Sequence, residues 1–352
     1  MFICNEWYGV AWSEDIGRQL TARTVLGEPL VFYRTQGGRV AALLDRCPHR
    51  SSPLSRGVLK QDTVECGYHG LTFDSAGVCV RVPGQSRVPA AARVRTFPVT
   101  EKYGLVWIWP GDPAVASQSE IAECPYYGES GWARVRGHTR FACNYQTVLE
   151  NLIDPAHPSF VHKGTIGNAA AEDVPIASEE CGDTVTAGRW INDAPAVPMM
   201  QRYGKFKGNV DRWQFYHVKT PSVSRTDSGC LVAGLPHGDE QKASAPYRVL
   251  SYAAVTPETD RVTHYFWYQT RNYGVDDETV TREVAEMFEV TFEEDKAILE
   301  GIQKNEDTYG RLDSFSIASD TGVMRMRRIL ARRLAAEQEA TFSRATDRMS
   351  RA

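Results

Sequence analysis

The sequence lacks three features that would mark a nucleic-acid-binding, membrane-spanning or secreted protein. Its 352 residues carry a formal net charge of −4, so the basic excess typical of a nucleic-acid partner is missing. It contains no run of about 18 apolar residues, the length that a membrane-spanning helix requires. Its start, MFICNEWYGVAW, does not show the basic-then-apolar order of a secretion signal. We therefore expect a cytoplasmic protein that binds neither nucleic acid nor membrane.

Cysteine is too sparse for a dense disulfide framework, because only eight cysteines are spread over the chain. In a reducing compartment such cysteines are more often buried thiols or metal ligands. Two of the eight have a histidine close by in the sequence, Cys47 with His49 and Cys66 with His69. These two segments are the first candidates for a metal site.

The pattern of apolar residues divides the chain into two parts. In the first part, short apolar or alternating runs are separated by Gly, Pro and Asp turn signals, and YGLVWIWPGDP closes the region. The remainder combines strand-like segments with a long helix at about 279–304 and a helical tail from about 323. We predict an α+β protein with a β-rich domain at 1–112 and, at 113–352, a domain with an antiparallel sheet and flanking helices.

The two Cys/His segments have the composition of a metal site. They read Cys-x-His at Cys47 and His49 and, after sixteen intervening residues, Cys-x-x-His at Cys66 and His69. Structural zinc also uses two Cys and two His, but its sites usually group Cys with Cys and His with His. A [2Fe–2S] centre in which His replaces Cys on one iron needs the same four donors. The pattern favours such a cluster over zinc, with the two Cys on one iron and the two His on the other, and it resembles the Rieske iron–sulfur motif.

The segment NLIDPAHPSFVH contains a second set of candidate ligands. His157 and His162 are five residues apart, which is the wrong spacing for one face of an unbroken helix. Pro158 predicts a break in the helix, which lets both rings converge. Two His and one carboxylate form the facial triad of non-haem Fe(II), which leaves positions open for dioxygen and substrate. Asp154 is the nearest carboxylate in the sequence.

The long helix offers a better third ligand than Asp154. Asp295 falls inside an apolar stripe at helical spacing. That stripe consists of Val284, Met287, Phe288, Thr291, Ile298, Leu299 and Ile302. A carboxylate that faces a core is costly unless it binds a metal or pairs with Arg or Lys. We therefore predict Asp295 as the third ligand; the alternatives are an Arg or Lys partner, or a helix rolled so that water reaches the carboxylate.

Taken in order, these motifs resemble the oxygenase (α) component of Rieske non-haem iron aromatic-ring oxygenases. After the two Cys/His segments come Asp-x-x-His-x-x-x-x-His, from Asp154 to His162, and Phe-x-x-Asp, from Phe292 to Asp295. The resemblance implies that His157, His162 and Asp295 bind iron. It also implies that Asp154 is not a ligand and instead links the iron site of one subunit to the Rieske histidine of its neighbour.

Two residues near these ligands have alternative interpretations. Asp154 precedes Pro155 and is a candidate helix N-cap, a role that is compatible with the inter-subunit link. Asn151 either orients the network around the iron ligands or lies on the exposed face of the preceding helix.

The resemblance also implies cofactors, a substrate and partners. NEWYGVAW and NLIDPAHPSFVHKGTIG are most similar to vanillate O-demethylase oxygenases, which implies O2-dependent demethylation of a methoxybenzoate such as vanillate, with release of formaldehyde. No G-x-G-x-x-G fingerprint follows a strand, so the electrons must come from elsewhere. The resemblance implies that a separate NAD(P)H-dependent flavin/iron–sulfur reductase supplies them. A homotrimer is also implied. The five arginines in VMRMRRILARRL either dock that reductase or form a solvated helix face.

Other functions remain open from the sequence. One is a hydroxylase or ring dioxygenase that acts on an aromatic carboxylate. Another is a Rieske electron carrier without oxygen chemistry, which would hold two iron atoms per chain instead of three. A third is a zinc-stabilised hydrolase, which would be colourless.

Overall fold

The computed structural model describes residues 1–310, 312 and 315–350, and for 341–350 the backbone only. The chain forms two compact units. The first unit comprises Met1–Ile121 together with Thr256–Asp260, and the second comprises Ala122–Val255 and the chain from Arg261 onward. The domain boundary near residue 112 stays a prediction.

The first unit is built from short β-strands in three small antiparallel sheets. The strands are β1 Tyr8–Trp12, β2 Thr21–Val25, β3 Glu28–Arg34, β4 Val40–Leu44, β5 Val58–Lys60, β6 Thr63–Glu65, β7 Thr72–Phe73, β8 Cys79–Arg81, β9 Val99–Lys102 and β10 Leu105–Ile108. The sheet orders are β1-β10-β9, β2-β3-β4 and β5-β6-β7-β8. Tight turns separate the strands; at Gly77, with φ of 72°, a Cβ would lie 2.1 Å from the Val94 carbonyl oxygen.

The second unit is a seven-stranded antiparallel sheet with helices, which confirms the predicted α+β class. The strands are β11 Ala133–Phe141, β12 Ala177–Cys181, β13 Thr184–Ala194, β14 Val210–Lys219, β15 Val223–Val232, β16 Tyr247–Thr259 and β17 Val262–Arg271. The end of β16, from Thr256 onward, is counted with the first unit. Their order in the sheet is β11-β17-β16-β15-β14-β13-β12. The helices are α1 Tyr145–Leu152, α2 Pro158–Val161, α3 Pro198–Gly204, α4 Asp239–Ala243, α5 Glu278–Tyr309 and α6 Thr321–Ser350.

Helix α5 is the long helix predicted at about 279–304. The Asp277 side chain caps its start by accepting hydrogen bonds from the backbone N–H groups of Thr279 and Val280 at 2.9 and 3.1 Å. One face of the helix is buried. The buried residues are Val284, Phe288, Thr291, Phe292, Asp295, Leu299 and Gln303. The predicted stripe was wrong at Ile298 and Ile302, which are exposed, because the buried face is rotated toward Phe292 and Gln303.

Helix α6 packs on the second unit through an apolar row and an arginine row. Met326, Ile329 and Leu330 are buried. The arginines of the tail motif all have partners within the chain: Arg325 with Ser178, Arg327 with Glu150, Arg328 and Arg332 with Glu180, and Arg333 with Asp183. The row therefore pairs with residues of its own unit, while Arg328 and Arg332 also stay exposed to solvent, as the interpretation of a solvated helix face expects. Docking of a reductase on this row stays a prediction. Among the described helices, none is long and apolar enough to cross a membrane.

Candidate metal centres

A break in the helical path brings His157 and His162 together. Helix α1 ends at Leu152, and the four-residue helix α2 starts at Pro158, which occupies its first turn, where a proline costs no hydrogen bond. His157 immediately precedes α2 and His162 immediately follows it. The two rings lie 5.2 Å apart between centroids. The five-residue spacing therefore spans one short helix, in agreement with the predicted break at Pro158.

Asp295 reaches the two rings from α5. Its Oδ1 lies 3.1 Å from His162 Nε2 and 3.6 Å from His157 Nε2. One donor atom from each residue fits into a group in which all atoms lie within 4.8 Å of one another. Asp295 is buried, and no Arg or Lys of the described residues pairs with its carboxylate. A buried carboxylate and two imidazoles without a cationic partner are the donor set that a divalent metal ion satisfies.

The far nitrogens of both rings are held by oxygen acceptors. His157 Nδ1 lies 2.7 Å from the Asp154 carbonyl oxygen, and His162 Nδ1 lies 2.8 Å from Glu294 Oε2. When Nδ1–H donates to these oxygens, each Nε2 presents its lone pair toward Asp295. Burial lowers the pKa of His162, but its hydrogen bonds to Asp295 and Glu294 outweigh burial and raise the pKa above its ordinary value. The centre is therefore rich in negative charge and suits a cation.

Asn151 and Asp154 lie beside this group of ligands. Asn151 Nδ2 donates a hydrogen bond to Asp295 Oδ1 at 3.0 Å, so the side chain turns inward instead of lying on an exposed helix face. The Asp154 side chain accepts from the backbone N–H of Ala156 at 2.8 Å and of His157 at 3.2 Å. These bonds fix the turn that carries His157. They are the local capping contacts that we considered for Asp154, and they leave its inter-subunit role a prediction.

The three candidate ligands face a cavity between α5 and the sheet. Apolar side chains such as Phe288, Phe292 and Val249 form much of its lining, together with a few polar groups of the strands, among them Gln214 and Thr226. A largely apolar cavity with a few placed polar groups is the usual form of a small-molecule site. The open side of the ligand set is therefore where a substrate would bind.

The Cys/His segments of the first unit form a second candidate centre. Cys47 and Cys66 are buried, whereas His49 and His69 are exposed with ring centroids 4.7 Å apart. Burial raises the pKa of the Cys47 thiol, and the neighbouring Cys66 raises it further, so a thiolate at Cys47 needs a bound cation. Two buried thiols and two exposed imidazoles are the four donors that would hold a [2Fe–2S] cluster in which His replaces Cys on one iron.

Backbone turns hold each Cys/His segment in place. Ser51 N–H donates to the Cys47 carbonyl oxygen at 2.9 Å, and Gly70 N–H donates to the Cys66 carbonyl oxygen at 3.0 Å. Gly67 follows Cys66 where the backbone packs so closely that a Cβ would lie 2.8 Å from the Arg56 carbonyl oxygen. The glycine is needed for this close approach.

Comparison with known proteins decides the family. Residues 6–98 match the Rieske [2Fe–2S] domain, and residues 141–336, more than half of the chain, match the vanillate O-demethylase oxygenase C-terminal domain. The iron–sulfur subunit of the toluene-4-sulfonate monooxygenase system of Comamonas testosteroni is 36% identical over 347 residues, which cover 97% of this chain and 99% of that protein. The chain belongs to the Rieske non-haem iron oxygenases.

Two further relatives place this Rieske oxygenase within its family. The vanillate O-demethylase oxygenase subunit of a Pseudomonas species is 34% identical over 349 residues and 97% of each chain. The crystal structure of dicamba monooxygenase bound to dicamba superposes with a TM-score of 0.85 at 30% identity, covering 96% of this chain and 99% of that one. The predicted resemblance and the two-part architecture are thereby confirmed.

The cofactors of this Rieske oxygenase are a [2Fe–2S] cluster and a mononuclear non-haem iron. The donor sets fit both groups: two buried thiols with two exposed imidazoles for the cluster, and two imidazoles with one buried carboxylate for the single iron. Zinc at the Cys/His segments, which the sequence pattern already disfavoured, does not agree with the match to the Rieske domain.

Sequence reasoning missed one residue of the mononuclear centre. Glu294 contacts His162 but lies off the centre of the predicted stripe, where it resembled any exposed helix carboxylate. Periodicity indicates which residues face a core, yet it carries no signal for a carboxylate at the edge of that face. Predicting this contact would have required knowing that the fold brings His162, at the end of α2, to Glu294 of α5.

Proposed function

We propose that this chain is the oxygenase component of a monooxygenase for substituted aromatic acids, with oxidative O-demethylation of a methoxybenzoate as its reaction. The methyl ether, O2, two electrons and two protons would give the phenol, formaldehyde and water. The observation that carries the proposal is the set of His157, His162 and Asp295 at the wall of a largely apolar cavity. Relatives named for vanillate and toluene-4-sulfonate support an aromatic acid as the substrate class.

In this proposal each residue of the centre has a defined part. His157, His162 and Asp295 hold the iron, which when bound activates dioxygen with electrons that the Rieske cluster stores one at a time. Asn151 and Glu294 keep the Asp295 carboxylate and the His162 ring in orientation through their hydrogen bonds. Phe288 and Phe292 exclude water from the cavity once a substrate fills it.

The first unit would supply electrons through its own metal site. We assign Cys47 and Cys66 to one iron of the cluster and His49 and His69 to the other. The exposure of both imidazoles supports this order, because the histidine-bound iron then lies at the surface where an electron path can begin. A separate NAD(P)H-dependent reductase would reduce the cluster, and a homotrimer would pair each cluster with a neighbour's iron through Asp154. None of the eight cysteines forms a disulfide, which supports a cytoplasmic location.

A panel assay with matched variants tests the proposal. The holoenzyme is incubated with a reductase, NADH and methoxybenzoates, and formaldehyde and the phenol are both measured. The proposed reaction predicts that they form in equal amounts. Asp295→Ala should abolish formaldehyde and lower iron from three to two atoms per chain while the visible spectrum of the cluster stays. Glu293→Ala is the control, because Glu293 lies on the same helix but is exposed.

Different products would point to a different reaction. If the product has a hydroxylated or dihydroxylated ring and no formaldehyde forms, the reaction is a ring hydroxylation or dioxygenation and not a demethylation. Retention of three iron atoms in Asp295→Ala would remove Asp295 from the ligand set.

A further inference from the structure

Arg212 is a buried cation in the wall of the substrate cavity. It lies on β14, where its neighbours across the sheet are Ile191 of β13 and Cys230 of β15. The residue is only 2% exposed and lines the cavity that the three candidate iron ligands also line. Thr226 and Ser228 of β15 contribute hydroxyl groups to the same cavity.

The guanidinium of Arg212 is incompletely bonded by the protein. Its Nη2 donates to Asn168 Oδ1 at 2.6 Å, an oxygen that carries no charge. Its buried Nε has no hydrogen-bond partner among the described residues. No carboxylate of the described residues forms an ion pair with Arg212.

A neighbouring arginine on the same face of the sheet shows what a structural role requires. Arg189 donates from Nε to Gln214 Oε1 at 2.8 Å and from its two terminal nitrogens to the carbonyl oxygens of Ala171 and Pro155 at 2.6 and 2.7 Å. Every nitrogen of the Arg189 guanidinium is therefore bonded, to Gln214 on β14 and to backbone carbonyl oxygens that precede and follow the segment 157–162. Arg212 keeps a donor unused although both guanidinium groups are buried.

A buried cation without an anion is costly, so a second charge is expected to complete the site. Burial lowers the pKa of Arg212 to about 10, and the nearby positive charge of Arg189 contributes to the decrease. Arg212 still carries its charge at neutral pH. An oxyanion that enters the cavity would therefore gain an ion pair and a hydrogen bond that the protein itself does not make.

We propose that Arg212 binds the acid group of the substrate, a carboxylate or a sulfonate, and thereby places the aromatic ring against the apolar wall near the iron ligands. Asn168 positions the guanidinium, and the unused Nε donates to the acid group. This assignment rests on the proposed function, because it concerns the substrate of the same cavity. It makes the negative charge of the substrate, rather than its ring substituents, the main determinant of binding.

Binding can be measured without turnover. Titration calorimetry on the anaerobic holoenzyme compares 4-methoxybenzoate and toluene-4-sulfonate with 4-methoxybenzamide, which has similar size and no charge. A charge-assisted hydrogen bond predicts that wild type binds at least one of the two acids about 10- to 100-fold more tightly than the amide. Arg212→Met should lose this preference while its affinity for the amide changes little, and Arg212→Lys should keep part of it. Arg202→Met, a loss of the same charge at an exposed position, is the control.

The readout separates this inference from the proposed function. A misfolded Arg212→Met variant would bind none of the ligands, so retained binding of the amide shows that its cavity is intact. If Arg212→Met no longer binds the amide, the test is whether Arg212→Lys has a weaker preference for the acids than the wild type. The role of Arg212 as the binding partner of the acid group is overturned if Arg212→Met still prefers the acids. It is also overturned if the wild type binds neither acid better than the amide. If the preference for the acids depends on Arg212 but no product forms, Arg212 still binds the acid group and the proposed reaction is wrong. The two acid arms decide between carboxylate and sulfonate.

Discussion

Glu294 shows how a single side chain outside the ligand set can control a metal site. Its Oε2 accepts from His162 Nδ1 at 2.8 Å and so fixes the ring orientation that points Nε2 at Asp295. Partners of this kind change metal affinity by about 10- to 100-fold. We expect Glu294→Gln to bind the mononuclear iron about 10-fold more weakly, as measured by iron retention against a graded chelator.

The cluster in the same chain provides an internal standard for that experiment. Its visible absorbance should be equal in wild type, Glu294→Gln and the control Glu293→Gln, because Glu293 is exposed on the adjacent position of α5. If Glu294→Gln retains iron as well as the control does, the Glu294–His162 contact has no part in holding the metal.

Predictability from sequence differs sharply among the residues of the centre. Asp295 could be predicted because an acid inside an apolar stripe violates the pattern, and violations of a pattern are visible in one dimension. Glu294 and Arg212 violate nothing: one lies at the edge of a helix face, and the other in a strand with buried residues on both sides. Their roles depend on which elements pack nearby, and that information is not local in the sequence.

At the scale of elements, substitutions at two helical glycines test how closely α6 packs against the rest of the second unit. A Cβ at Gly322, near the start of α6, would lie 2.9 Å from Ala187 Cβ and 3.4 Å from Ile153, the residue before Asp154. A Cβ at Gly301 in α5 would meet nothing within 4 Å. The same substitution therefore has opposite expected effects at the two positions.

Gly301→Ala should raise the melting temperature by about 2–4 °C, because alanine is favoured over glycine in a helix by about 1 kcal/mol. Gly322→Ala should lower it by several degrees, because overpacking costs about 1–3 kcal/mol. Both values come from calorimetry on the holoenzyme. Equal increases in the two variants would mean that α6 does not press against Ala187 and Ile153 in solution.

Element types were more predictable than element faces. The break at Pro158 and the long helix that became α5 follow from proline chemistry and helical periodicity, which are local. The exposure of Ile298 and Ile302 could not be predicted from local sequence, because the apolar row of α5 is wide enough to allow more than one rotation of the helix. The arginines of α6 were equally ambiguous, since only the fold brings Glu150 and Glu180 to them.

At the scale of the whole molecule, the proposed trimer predicts that two inactive variants can restore each other. His69→Ala removes a proposed cluster ligand, and Asp295→Ala removes a proposed iron ligand. If electrons pass from the cluster of one subunit to the iron of its neighbour through Asp154, a mixed trimer contains at least one complete pair of centres. Co-expressed and co-purified chains should then form product, although each variant alone does not.

The control pair is Asp295→Ala with His157→Ala, since both variants lack the same centre and no arrangement of their subunits contains an intact iron site. Mixed composition is verified by two different affinity tags and by mass. Activity in the first pair and its absence in the second would require a path between subunits, because no single chain in either mixture holds both centres. An inactive first pair of verified composition would instead place the electron path within one chain, and Asp154 would then keep only its local bonds to Ala156 and His157.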